Sequence, residues 1–318
     1  MPALARLDAL IHHIATAVRP PRGRGPKAAW FLVALLASPW ALADAIWIAL
    51  ASKDPVYIET ANAIRGALPE HDVRVAEWRE FNFRSASPQV LVTVGGDALA
   101  NLVQHAGKTP IVATLVPRSS LDEVREGVAT RVTGVYYEQP IPRLAALLRE
   151  AFPSRARIGV LLGPASVRYR GELSAALLKQ GLDGIFEVVR DKSELAAAAQ
   201  RVLSDSDVFL ALPDAEAINN QSARFILLSS YRRGVPVVGY SAAFVKAGAA
   251  VAMVSSPAQI GKEAAQMVGE IAPGRRLPPP RSPEAFEVLV NASVSRSLGL
   301  NLDSESLERQ VGGTEASQ

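Results

Sequence analysis

From residue 46 the chain alternates short apolar runs with amphipathic segments, and it does so twice over. The first series of runs is Ile46–Ala51, Val73–Trp78, Gln89–Val94, Pro110–Leu115 and Arg131–Tyr137. The second is Arg157–Leu162, Ile185–Val189, Asp207–Leu212, Pro236–Gly239 and Ala250–Val254, with Phe286–Val290 closing the body. Apolar runs this short, separated by helical periodicity, are the mark of buried parallel strands crossed by helices. Val56–Leu68 shows the period: Ile58, Ala61, Ile64, Ala67 and Leu68 share one face. The expected fold class is therefore α/β, with two doubly wound parallel-sheet lobes and a cleft between them. One continuous sheet is the architectural alternative. Lobe one is placed at 44–137 with part of 256–275, and lobe two at 138–255 with part of 276–303. The polar stretch 304–318 reads as a disordered tail.

The segment before this body has a different character. Residues 1–43 hold Arg6, Arg19, Arg22, Arg24 and Lys27 against Asp8 alone, so this segment carries +4 and the rest of the chain −1, for a net charge of +3. After Lys27 comes an apolar core, then Ser38-Pro39, then Ala41-Leu42-Ala43. A positive start, a short apolar run and a small-x-small end read as a secretory signal cut after Ala43, which implies a periplasmic location. The core of about eleven residues falls short of the roughly 20 that a spanning helix needs. The alternative is an uncleaved inner-membrane anchor, extended through Ala45-Ile46-Trp47-Ile48.

Several function classes drop out. The body lacks the clustered Lys and Arg that a nucleic-acid partner requires. With no cysteine and no two histidines at ligand spacing, neither a disulfide nor a metal site is expected. No G-x-G-x-x-G, no P-loop and no G-x-S-x-G occurs, and only His71 and His105 lie in the body. No cofactor and no catalytic residue is expected, so the chain reads as a binder, not an enzyme.

In open α/β sheets ligands sit beyond the carboxyl ends of the strands. That rule selects Ser52-Lys53-Asp54, Gly95-Gly96-Asp97, Pro117-Arg118-Ser119 and Tyr136-Tyr137-Glu138 in lobe one. In lobe two it selects Pro164-Ala165-Ser166, Pro213-Asp214, Tyr240-Ser241 and Ser255-Ser256. Gly95 and Gly96 would let backbone N–H groups approach a carboxylate or phosphate, or form a tight turn with Asp97 as cap. Arg118 offers a planar fork to an anionic group. Tyr136 and Tyr137 end a strand, so alternation sends only one of them into the cleft, as an aromatic wall. Asp214 follows an apolar strand, where it could take a ligand ammonium or cap the helix expected at Glu216–Arg233. Asn219 lies one turn inside that helix.

From Val132 onward the chain resembles the ABC-transporter substrate-binding family with a type 1 periplasmic-binding-protein fold, in its amino-acid-like branch. The resemblance is carried by Val132-Thr133-Gly134-Val135-Tyr136 and by Arg157-Ile158-Gly159-Val160-Leu161-Leu162-Gly163-Pro164. It continues in the runs beginning at Asp207, Tyr231, Gln259 and Val288. It also points to Asp214. It implies an exported protein that clamps a small, amino-acid-like organic ligand between two lobes and passes it to an inner-membrane ABC permease. A periplasmic sensory binding protein, partnered by a sensor protein or an outer-membrane uptake system, is the alternative. Members often carry small polar pairs after strands three and four of lobe one. Here those loops are Gly95-Gly96-Asp97 and Val116-Pro117-Arg118-Ser119, so the family's lobe-one contacts do not transfer directly.

Overall fold

The computed structural model describes residues 45–318 apart from 84–86, 129–130, 192 and 317–318. The expected signal sequence and its cleavage point lie outside the described residues.

Lobe one is built from β1 (Ile46–Leu50), α1 (Pro55–Gly66), β2 (Val73–Glu77), β3 (Val90–Val94), α2 (Gly96–Leu102), β4 (Ile111–Val116), α3 (Arg118–Val128) and β5 (Val132–Tyr136). Its five strands are parallel, in the order β2-β1-β3-β4-β5. Strand alternation divides the apolar residues between two faces. Ile46, Ile48 and Leu50 pack with α1, while Trp47 and Ala49 pack under Phe81 and α2.

Lobe two repeats the plan with α4 (Ile141–Ala151), β6 (Arg157–Leu162), α5 (Arg170–Lys179), β7 (Asp183–Val188), α6 (Leu195–Asp205), β8 (Val208–Leu210), α7 (Asn220–Arg232), β9 (Val237–Gly239), α8 (Ala242–Ala247) and β10 (Val251–Val254). After β10 come α9 (Pro257–Gly269), β11 (Glu287–Val290), α10 (Ala292–Ser297) and α11 (Ser304–Ala316). The second sheet runs β11-β10-β9-β8-β6-β7, parallel except for β11 against β10. Read from its second strand, β7-β6-β8-β9-β10 is the same winding as lobe one. Each lobe therefore reverses strand order beside its first strand, and the ligand rule applies to both at once.

The chain crosses between lobes three times: after β5, after β10 and before β11. The helix α9 belongs to lobe one, where Ile260, Ala264 and Met267 join its core beside Ala61 and Ile64. A Cβ on Gly261 would stand 2.6 Å from the Thr60 carbonyl, which shows how closely α9 and α1 approach. The returning segment lies along β5, with Arg281 N–H donating to Gly134 O at 3.1 Å and Tyr136 N–H to Arg281 O at 2.9 Å.

Two expectations are corrected. The stretch read as a disordered tail is the helix α11. Asp303 caps it through Ser306 N–H at 2.8 Å, and Leu307 and Val311, one turn apart, enter the lobe-two core beside α4. This buried pair, with Glu308 Oε1 accepting from Val288 N–H of β11 at 2.6 Å, docks a helix whose sequence is otherwise largely polar. The helix expected from Glu216 starts at Asn220 instead, because a separate turn precedes it, held by the Asp214 side chain.

Candidate functional site

The three crossings form one hydrogen-bonded unit at the base of the cleft. Gln139, on the first crossing, donates from Nε2 to Ser255 Oγ on the second at 2.8 Å. Ser255 Oγ donates in turn to the Ala285 carbonyl on the third. Arg143, buried in the first turn of α4, donates to Gln139 Oε1 at 2.8 Å and to Pro283 O at 2.9 Å, and its guanidinium lies over the Phe286 ring. Above this floor the loops at the strand ends of both lobes face each other.

One lip of the cleft is closed by charge and aromatic contacts between lobes. From α3, Arg118 pairs with Glu172 at 3.1 Å and Glu126 with Arg168 at 2.6 Å. Asp122 accepts from the Tyr136 hydroxyl at 2.9 Å and from Tyr169 of the opposite lobe at 3.0 Å. The Arg118 guanidinium lies 4.5 Å from the Tyr169 ring centre. Burial, with the Asp122 hydrogen bond adding to it, pushes the Tyr136 hydroxyl up to about 12 and the Tyr169 hydroxyl up as well. Arg118, expected to meet an anionic ligand, pairs with carboxylates of the protein itself, while its buried Nε has no hydrogen-bond partner.

Beyond the first crossing lies a second group. Tyr137, next along the chain after Tyr136, is half-buried, and Tyr240 of lobe two, Glu138 and Tyr57 of α1 act electrostatically on its hydroxyl. Burial pushes the Tyr137 hydroxyl up to about 12; Tyr240 and Glu138 add to this, and its hydrogen bond with the Ser241 side chain opposes it. Tyr240 packs on Phe244 with centroids 5.1 Å apart, and Ser241 caps α8 through Phe244 N–H at 3.1 Å. Glu138 keeps part of its surface open to the cleft but is otherwise ringed by protein, and burial pushes its carboxyl up from 4.5 to about 7. The hydrogen bonds it accepts from Arg118 N–H, at 2.8 Å, and from its own N–H pull the other way.

Other expected contacts have structural duties. The Asp214 carboxylate is 5% exposed and saturated: Oδ2 accepts from Ser166 N–H at 2.9 Å and Ser166 Oγ at 2.7 Å, and Oδ1 from Glu216 and Ala217 N–H at 3.0 and 3.1 Å. A carboxylate has about four lone-pair sites, so none remains for a ligand ammonium. Ser166, equally buried, also accepts from Gly163 N–H at 3.0 Å. Gly95 sits at φ +97, its N–H donates to Thr114 O at 2.9 Å, and a Cβ there would stand 2.7 Å from the Ala51 side chain. Its lack of a side chain is required by this close packing. Gly96 opens the seven-residue α2, and Asp97 puts a negative charge in its first turn, which disfavours an anion. Asn219 is the cap of α7, accepting from Gln221 and Ser222 N–H while Ser222 Oγ accepts from Asn219 N–H. It shares a surface groove with Tyr240, Ser241 and Phe244.

Between the lips lies a cavity of about 30 Å³, lined from both lobes by Arg118, Glu138, Gln139, Ser166, Tyr169 and Pro213 among others. That holds a water or two, far below the ~300–1,000 Å³ of organic-ligand pockets. Admitting a solute requires the lobes to separate. Sequence reasoning missed Asp122, Tyr169, Glu172 and Tyr57. They sit on helices or just ahead of one, outside the short loop windows the strand-end rule selects.

The sequence profile of the ABC transporter substrate binding protein family matches residues 70–311. The chain belongs to that family. The match reaches back into lobe one, well before Val132. This substrate-binding protein is similar in fold to a conserved domain protein of Vibrio cholerae, at 21% identity and TM-score 0.59, over 84% of this chain and 98% of the other. It is similar to the ABC domain in complex with L-Trp from Streptococcus pneumonia, at 17% identity and TM-score 0.60, over 84% and 98%. A third likeness is to the ligand-free, open structure of a Clostridium difficile substrate binding protein with adhesive properties, at 16% identity and TM-score 0.62, over 82% and 96%. No curated protein sequence matches it. Among the described residues, no helix of this substrate-binding protein is long and apolar enough to cross a membrane.

Proposed function

We propose that this protein is an exported receptor that closes its two lobes over a small, amino-acid-like organic solute in the periplasm and delivers it to an inner-membrane ABC permease. The observation that carries the reading is the hinge. Three chain crossings are tied into one unit by Gln139, Ser255 and Arg143, beneath two lobes that touch chiefly through side chains. Such a base lets the lobes swing as bodies while the lip contacts break and re-form. A ligand bound to both lobes then shifts the population toward closure by its differential affinity.

Export is supported by the signal-like residues 27–43. N-terminal sequencing of the membrane-free fraction is expected to begin at Asp44. The solute-receptor reading is tested by equilibrating the purified protein with a metabolite extract, washing, denaturing, and identifying what is released by mass spectrometry. A stoichiometric small molecule is expected. Release of none from extracts of several growth conditions contradicts the reading.

A further inference from the structure

We propose that the outer face of lobe two, built from α7, α8 and α10, docks on an anionic phospholipid surface. This goes beyond the solute-receptor reading and does not depend on which solute the cleft takes.

The face is cationic without compensation. Its three helices carry Arg224, Arg232, Lys246 and Arg296, with Arg233 directly after α7, and no carboxylate at all. All five cations are exposed, and among the described residues none lies within ion-pair distance of an acid. Elsewhere in the same lobe Arg157, Arg168 and Arg201 are each paired, with Asp207, Glu126 and Glu187. The chain after residue 43 sums to −1, so the excess of positive charge is local to this face and not a property of the whole body.

The fold gathers these charges around exposed apolar groups. Arg224, Leu228 and Tyr231 recur at helical spacing on α7, and Arg232 follows Leu228 by one turn. Leu228 is 53% exposed and Tyr231 49%, whereas Ile226 is fully buried in the core beneath. The stripe lines a groove of about 460 Å³ together with Ala247, Gly248 and Val294. Asn291, the cap of α10, donates from Nδ2 to Val245 O at 2.9 Å and so fixes α10 against α8. Tyr231 and Arg232 stand at the carboxyl end of α7, away from the strand ends that face the other lobe, so a docked face leaves the cleft free. Cations spread over three elements around a leucine and a tyrosine suit a surface that is uniformly anionic. Each Lys or Arg near such a surface contributes about fivefold in affinity, and tyrosine sits well at headgroup level. A second copy of the chain docked by the same face would set cation against cation. A protein partner held in one register draws on charges of both signs, and this face offers one.

The test is co-sedimentation of the mature protein, extracted at high salt, with vesicles of phosphatidylcholine alone or with phosphatidylglycerol added. Binding is expected to the anionic vesicles only, and to weaken by about tenfold or more when salt rises from about 0.1 to about 0.5 M. Arg224→Gln with Lys246→Gln should lower that affinity about twentyfold. Leu228→Ser with Tyr231→Ser should weaken it with the salt dependence retained. Lys108→Gln with Lys262→Gln removes the same charge from exposed positions of lobe one and should leave it unchanged. The melting temperature of each variant should match that of the parent, since only exposed side chains change. Equal binding to neutral vesicles, undiminished binding in the Arg224 and Lys246 variant, or an equal loss in the Lys108 and Lys262 variant overturns the proposal. So does binding to polyglutamate but to no vesicle, which assigns the face to an acidic polypeptide. The vesicle assay needs no solute, so its failure is distinct from failure of the receptor reading.

Discussion

Gln139 Nε2 and Ser255 Oγ lie 2.8 Å apart, and that one hydrogen bond joins two of the three strands of chain on which the lobes turn. Ser255 passes the link to the third through the Ala285 carbonyl. Ser255→Ala removes both bonds and leaves the Gln139 amide donor without its partner. The expected loss is about 1–3 kcal/mol of stability, read as a lower urea midpoint. The scattering profile should also broaden as the base loosens. An unchanged midpoint would mean that the crossings are held by their apolar packing alone.

Asp214 is bound up in the structure of its own loop. Both of its oxygens already accept two donors each, from the Ser166 and Glu216–Ala217 sides. Asp214→Asn turns an amide toward N–H donors on one side or the other. The expected cost is roughly 1–3 kcal/mol in unfolding free energy, with solute affinity changed much less. Chemical denaturation and calorimetry on the same sample separate the two effects. A large affinity loss at constant stability would return Asp214 to the binding site.

Gly95 cannot be replaced without strain. Its backbone at φ +97 and ψ 154 belongs to a region that only glycine occupies comfortably, and a side chain would meet Ala51 and the Tyr57 ring. Gly95→Ala is expected to destabilise the protein by about 1–3 kcal/mol from the backbone alone. The melting temperature should fall, whereas Gly96→Ala, with open space around its Cβ position, should leave it almost unmoved.

The lip contacts are exposed enough to respond to salt. Arg118–Glu172 and Arg168–Glu126 are solvated pairs, so both weaken as salt rises. Raising ionic strength toward about 1 M shortens the screening length to ~3 Å and should favour separated lobes. The ligand-free protein is expected to show a larger radius of gyration at high salt. Asp122→Asn, which weakens the Tyr169 contact, should show much of that expansion already at low salt.

Glu138 sets a pH dependence of stability. Its carboxyl is pushed up from 4.5 to about 7, so between those values the folded chain holds a proton that the unfolded chain releases. Its contribution therefore favours folding fully below about pH 4.5 and is lost as pH rises through 7. The Arg118 guanidinium acts against this shift, and Asp122 acts with it. In the absence of solute, unfolding free energy should decline from pH 5 to pH 8, and Glu138→Gln should flatten the decline.

Much of the architecture was legible because it rests on periodicity. Near-continuous apolar runs such as Val90–Val94, broken only by Thr93, are buried on both faces, as parallel strands between helix layers are. The α11 helix was not legible: only Leu307 and Val311 mark its buried side, and their partners on α4 lie far back in the chain. The strand-end rule selects loops that lie at the facing ends of the two sheets, but it does not assign roles within them. Asp214 and Arg118 make side-chain hydrogen bonds to partners 48 and 54 residues away, which no local pattern reveals. Glu138 stands in the selected loop beside Tyr136 and Tyr137, but the burial that pushes its carboxyl up comes from packing that its sequence neighbours do not reveal.

The most direct measurement uses the cysteine-free chain as its own blank. Cysteines introduced at Glu123 of lobe one and Leu178 of lobe two, both exposed, accept spin labels at those two sites alone. Pulsed electron resonance then reads the interlobe distance with and without the solute recovered from extract. The account predicts a broad or double distribution without solute, collapsing to its shorter component at saturation. A single distance, unchanged when calorimetry shows the solute bound, would contradict lobe closure as the way this protein works.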